Sequence, residues 1–191
     1  MRVLLRVAYD GTGYSGWQIQ PNAVTVEKVL IEALEGLFGK KVEIIGASRT
    51  DAGVHAYGNV AVFDTDTKMP AEKISYALNQ RLPEDVRIQE SVEVEAGFHP
   101  RHRDCVKTYE YRIWNDRFES PLNRLYSHFY YGKLDVDEQI FRLIPAFFIP
   151  EVQHQRNYRI SVFSIELCPI LRSIIPHHSK WHICIRFCLI F

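Results

Sequence analysis

The chain has 191 residues, 47% hydrophobic and 24% charged, with a formal net charge of zero. That is ordinary for a globular protein and long enough to bury a sizeable core, in one domain or two small ones. No apolar run is long enough to span a bilayer, four Cys without regular spacing point to a reducing setting rather than a disulfide framework, and the neutral charge argues weakly against nucleic-acid binding. Met1-Arg2 runs straight into a strand-like pattern, with no signal-peptide h-region, so a cytoplasmic protein is expected. The average charge hides an asymmetry. Residues 1–138 hold 17 Lys and Arg against 21 Asp and Glu, and residues 139–191 hold 6 against 2. A basic groove on an acidic body is therefore open, and the local distribution has to decide.

Residues 2–10 alternate and are rich in Val and Leu, as in a half-buried strand. Asp10-Gly11-Thr12-Gly13 breaks the pattern. Tyr14-Ser15-Gly16-Trp17-Gln18 follows, a Gly-punctuated loop with two aromatics. Such a loop serves as a base-stacking platform or, more often, caps a core edge. Thr25 is a good N-cap. Val26, Val29, Leu30, Ala33, Leu34 and Leu37 then fall at helical spacing, so a helix is predicted over 26–38, with Gly39 at its C-cap. A short strand is predicted at 42–47 and another near 59–64. Pro70 suits the first position of a second helix at about 70–80, with Ile74, Ala77 and Leu78 on its apolar stripe. Val86, Ile88, Val92 and Val94 define a fourth strand that slips once near Glu90-Ser91.

The order βαββαβ implies an α+β fold, a ferredoxin-like unit with a mostly antiparallel sheet and two helices on one face. The fold alone names no function.

The two central strands are joined by Gly46-Ala47-Ser48-Arg49-Thr50-Asp51-Ala52-Gly53-Val54-His55-Ala56. A plain connection needs only a few turn residues. This one sets Arg49, Asp51 and His55 among small residues that let a backbone approach a ligand closely. Asp51 as an Asx-turn residue and His55 as a surface histidine would be the bland account. The full stretch, with an Arg and a His framing the Asp, favours a site.

Phe98-His99-Pro100-Arg101-His102-Arg103 is a short basic, imidazole-rich loop. Residues 105–114 read as a strand with Lys107, Tyr109, Tyr111 and Ile113 on one face. Two tyrosines beside a lysine form a surface suited to a phosphate chain and its bases, or simply pack. Residues 126–131 are another aromatic strand candidate, with a helix start at Asp135.

From Gln139 the text changes. Three of the four Cys and four of the eight His lie beyond it, acids nearly vanish, and Pro145, Pro150, Pro169 and Pro176 interrupt the apolar runs. His178, His182, Cys184 and Cys188 match no zinc spacing, so no metal site is expected. We expect this tail to be foreign to the preceding sequence, for example through a change of reading frame.

Five stretches in order resemble the tRNA pseudouridine synthase A (TruA) family over about residues 3–135. They are Tyr9-Asp10-Gly11-Thr12-Gly13-Tyr14-Ser15-Gly16-Trp17-Gln18, the stretch from Ala47 to Ala56, residues 79–83, Phe98-His99-Pro100-Arg101, and Lys107-Thr108-Tyr109-Glu110-Tyr111-Arg112-Ile113. The resemblance implies a cofactor-free isomerase, typically a homodimer, that converts uridine to pseudouridine in the anticodon stem-loop of tRNA. It implies that Asp51 is the catalytic carboxylate, that Arg49 anchors it and fills the gap left by the flipped base, and that Tyr109 stacks on the target uracil. His55, Arg101 and Lys107 follow as RNA contacts or supports. The implied domains are residues 1–98, a ferredoxin-like unit; 99–138, the beginning of a second α+β half; and 139–191, the anomalous tail that departs from the family. An RNA-binding chain of the same family without chemistry, and a generic ferredoxin-like protein that binds a small molecule or a partner, remain as alternatives.

Overall fold

The computed structural model describes residues 1–102 and 112–131. The former lie in one compact unit and the latter in another. Lys107, Tyr109, the bulk of the strand predicted at 105–114, the helix start at Asp135 and the tail from Gln139 lie outside the described residues.

The first unit runs β1 (Arg2–Tyr9), a single 3-10 turn (Gly11–Gly13), α1 (Val26–Phe38), β2 (Ile45–Gly46), β3 (Ala56–Asp64), α2 (Ala71–Asn79) and β4 (Val86–Val94). Its sheet has the order β2-β3-β1-β4 with every pairing antiparallel. This is the expected α+β, ferredoxin-like arrangement. The second unit contributes a short parallel pair, β5 (Ile113–Asn115) and β6 (His128–Tyr130).

Alternation along β1 puts Val3, Leu5, Val7 and Tyr9 into the core. Val26, Leu30, Ala33 and Leu34 of α1 and Ile74 and Leu78 of α2 close over them. Burying side chains of this size stabilises by roughly 1.5–3 kcal/mol each. The Thr25 hydroxyl accepts from the Lys28 N–H at the start of α1, and Gly39 caps its end by donating to the Glu35 carbonyl.

Four expectations are adjusted. Pro70 sits at the N-cap of α2 rather than inside it, with extended backbone (ψ 139°). The strand predicted at 42–47 contracts to Ile45–Gly46, which pair with Val62 and Ala61 at the sheet edge. The strand predicted near 59–64 begins earlier, at Ala56, and carries a bulge in which Ala8 of β1 faces two residues, Tyr57 and Gly58. The slip in β4 falls at Gln89, which is skipped between the pairs Arg6–Glu90 and Val7–Ile88. Beyond that bulge Ser91 turns inward. Its hydroxyl accepts from the Ser75 N–H (2.9 Å) and donates to the Ala71 carbonyl (2.7 Å), inserting into the first turn of α2.

Candidate active site

Tyr9 pairs with Ala56 and Val86. The end of β1 therefore lies beside the starts of β3 and β4. Two segments meet there: residues 10–18, which leave β1, and residues 47–55, which lead into β3. Backbone bonds join them. Trp17 N–H donates to the Thr50 carbonyl (3.0 Å), and Gly53 N–H donates to the Tyr14 carbonyl (3.2 Å).

Glycine makes this contact possible at two places. A Cβ on Gly16 would lie 2.4 Å from the Thr50 carbonyl oxygen, and its φ of +85° suits glycine alone. A Cβ on Gly11 would lie 2.0 Å from the Val54 carbonyl oxygen. The aromatics of the first segment face inward: Trp17 is 2% exposed and Tyr14 7%. They cap the core edge and offer no open stacking platform. The Tyr14 hydroxyl donates to the Asp85 carboxylate (2.6 Å), and burial, then that carboxylate, pushes its pKa well above the usual tyrosine range.

The second segment is also held from beneath. Ala47 N–H donates to the Val60 carbonyl (2.7 Å), and the Asn59 amide donates to the Ser48 carbonyl (3.1 Å). The Tyr9 phenol and the Thr50 hydroxyl are 2.8 Å apart. Tyr9 is nearly buried, and burial pushes its phenol up to about 12. It is therefore a neutral hydroxyl at any physiological pH.

Arg49 and Asp51 are exposed. Among the described residues neither side chain makes a hydrogen bond or an ion pair, including with the other. An Asx bond from the Asp51 carboxylate is absent on the same terms; the turn is closed instead by Val54 N–H donating to the Asp51 carbonyl (3.3 Å). His55 is half-buried rather than a loose surface side chain. Its Nδ1 lies 3.0 Å from an Asp10 carboxylate oxygen and 3.2 Å from the Gly11 N–H. Asp10 also accepts from the Thr12 N–H and hydroxyl.

Arg101 reaches the root of the same segment: its Nε donates to the Gly46 carbonyl (2.8 Å). His99 and His102 stack beside it with ring centroids 4.0 Å apart. Desolvation, then the neighbouring His102 and Arg101 charges, lowers the pKa of His99. Arg2 ties this loop to β1 through the Phe98 carbonyl (2.8 Å). Arg49, Asp51 and His55 thus share one connection, and Arg101 meets it at Gly46. Sequence reasoning missed the supports, Tyr9, Thr50, Asn59 and Trp17. The signal for Asn59 was a polar residue inside an apolar strand, and for Tyr9 its place on the buried face of β1.

The class this defines is an α+β enzyme-like domain whose exposed carboxylate is carried on a braced connection at a sheet end. The sequence model of the tRNA pseudouridine synthase family matches residues 6–102. A tRNA pseudouridine synthase A from Acetivibrio thermocellus is 49% identical over 135 residues, 71% of this chain and 55% of that protein. One from Thermoanaerobacter pseudethanolicus is 48% identical over 136 residues, 71% of this chain and 56% of that protein. One from Citrifermentans bemidjiense is 46% identical over 149 residues, 78% and 59% of the two chains. The chain belongs to the tRNA pseudouridine synthase family. It spans rather more than half the length of the curated relatives it matches.

Proposed function

We propose that this chain isomerises uridine to pseudouridine in tRNA, with Asp51 as the catalytic carboxylate. The observation that carries the reading is the Asp51 side chain itself, exposed and without a partner among the described residues, on a backbone pinned from both sides. A carboxylate left free of hydrogen bonds is available as a nucleophile or a general base.

The reaction exchanges one bond for another. The bond from ribose C1′ to uracil N1 breaks, the ring turns, and C1′ bonds to C5. The proton on C5 leaves to solvent and N1 gains one. The target base has to leave its stack to reach a side chain on the protein surface. In this reading Arg49 balances the Asp51 charge and occupies the space vacated by the base, and Tyr109 stacks on the uracil. Lys107 and Arg101 contact phosphates. His55, engaged with Asp10 and Gly11, supports the connection. The uridines acted on lie in the anticodon stem-loop, the working form is a homodimer in the cytoplasm, and no cofactor takes part.

A second reading keeps the tRNA surface without the chemistry. It is favoured by the fraction of the relatives' length that this chain covers. Unmodified tRNA carrying tritium at uracil C5 separates the two. Release of tritium to water on incubation with the purified chain supports isomerisation. Salt-sensitive tRNA binding with no release supports the second reading. No binding at low salt overturns both.

A further inference from the structure

We propose that Tyr9 and Asn59 are positioning residues: two buried polar side chains that hold Ser48 and Thr50, on either side of Arg49, from beneath and so fix where Arg49 and Asp51 stand. The proposal rests on the reading of Asp51 as the catalytic carboxylate and names what holds it.

The burial pattern along the segment sets the geometry. Ser48 and Thr50 are half-buried, and Arg49 and Asp51 are exposed. That alternation is the side-chain pattern of extended chain. Both inward positions are tethered. Ser48 is held through its carbonyl by the Asn59 amide, and Thr50 through its hydroxyl by Tyr9. Thr50 is held a second time, through its carbonyl, by the Trp17 N–H. With 48 and 50 fixed downward, 49 and 51 have only the outward side.

Packing alone does not account for these two side chains. Asn59 is fully buried in β3, beside Val60, Ala61 and Val62. Its Oδ1 has no hydrogen-bond partner among the described residues, and neither does the buried Ser48 Oγ. An amide in that state costs stability that an apolar side chain would not. Its amide nitrogen donates to the Ser48 carbonyl of the Asp51-bearing segment, beside the Tyr9 hydroxyl. Tyr9 likewise closes the buried row Val3, Leu5, Val7, where phenylalanine would fill the same volume. Among the described residues its hydroxyl adds the contact with Thr50 and the neighbouring Asn59 side chain.

The test uses the whole chain and five variants. Tyr9→Phe removes one hydroxyl, Thr50→Val removes its partner at equal volume, Thr50→Ser keeps the partner, and Tyr9→Phe/Thr50→Val closes a double-mutant cycle. Amide hydrogen exchange is read at Trp17 and Gly53, whose N–H groups join the two segments, and at Val3, Leu5 and Val7 as a control. We expect Tyr9→Phe and Thr50→Val each to speed exchange at Trp17 and Gly53 by about tenfold or more while the control amides change less than about threefold. Thr50→Ser should match the parent, and the double variant should be no worse than either single one. Asn59→Leu should loosen the same two amides. Unchanged exchange at Trp17 and Gly53 overturns the proposal, and so does equal acceleration everywhere. Turnover supplies the second readout: kcat on tRNA falls about tenfold in Tyr9→Phe and Thr50→Val with KM within about threefold. A parent chain without turnover overturns the catalytic reading of Asp51, while the exchange pattern still decides whether Tyr9 and Asn59 hold the segment.

Discussion

His55 and Asp10 meet at 3.0 Å, the imidazole Nδ1 against a carboxylate oxygen, and so link the residue before β3 to the residue after β1. The same Nδ1 stands 3.2 Å from the Gly11 N–H. A nitrogen that carries a proton donates to Asp10; one that does not accepts from Gly11. Either way the two segments stay joined.

Replacing His55 by Ala should therefore loosen the connection without unfolding the domain. Both side chains of the pair are partly exposed, which holds its contribution to roughly 1 kcal/mol. Urea unfolding of His55→Ala should show a loss of that order. A loss above about 3 kcal/mol would mean that the imidazole is part of the core rather than a tie between segments.

The buried Tyr9 phenol gives the fold an alkaline weakness. Its folded pKa is raised to about 12 by burial. The unfolded phenol ionises near ~10. With the folded value above the unfolded one, the contribution is fully present below pH ~10 and is lost as pH rises from there toward 12. The loss across that window is on the order of 2 kcal/mol. Tyr9→Phe should lose less stability than the parent between pH 9 and 11.5, measured by urea unfolding at each pH. Identical pH dependence in both proteins would show that the phenol is ionised freely in the fold.

The helices and strand faces were legible because apolar spacing alone sets them. Val26, Leu30, Ala33 and Leu34 sit three and four apart between a hydroxyl cap and a glycine, and those residues carry α1. The pattern showed that β4 slips near Glu90-Ser91 but did not single out Gln89 as the skipped residue, since a bulge changes which face is inward without changing composition. Nor did it show the supports of the site. Tyr9 looks like any core aromatic until its hydroxyl is placed beside Thr50, 41 positions away. The short form of β2 was hidden for a related reason: Val42 is buried, yet only Ile45 and Gly46 pair with β3.

Ser91 offers a check on the bulge. Its hydroxyl bridges Ser75 N–H and the Ala71 carbonyl, two groups that would otherwise bond each other within α2. Ser91→Ala lets that ordinary bond close, so the loss should be only about 1 kcal/mol. Ser91→Leu forces a larger side chain into the same buried place and should cost more, about 1–3 kcal/mol. Equal losses in thermal unfolding would place Ser91 away from α2.

Gly16 is one of two tight points between the two segments. Alanine there meets the Thr50 carbonyl oxygen and a positive φ. Gly16→Ala should lose about 1–3 kcal/mol and expose Trp17, read by a red shift of its fluorescence. Gly13→Ala is the control: a Cβ there meets nothing within 4 Å, and its loss should stay near ~0.5 kcal/mol. Similar behaviour of the two variants would contradict the close approach.

The most direct measurement pairs the parent chain with Asp51→Asn on unmodified tRNA labelled with tritium at uracil C5. Removing the ionisable carboxylate should lower tritium release by about 10³-fold or more. The Kd for tRNA should stay within about threefold, because one exposed side chain contributes little to a surface held by many phosphate contacts. Tritium release by Asp51→Asn at the parent's rate would contradict the account.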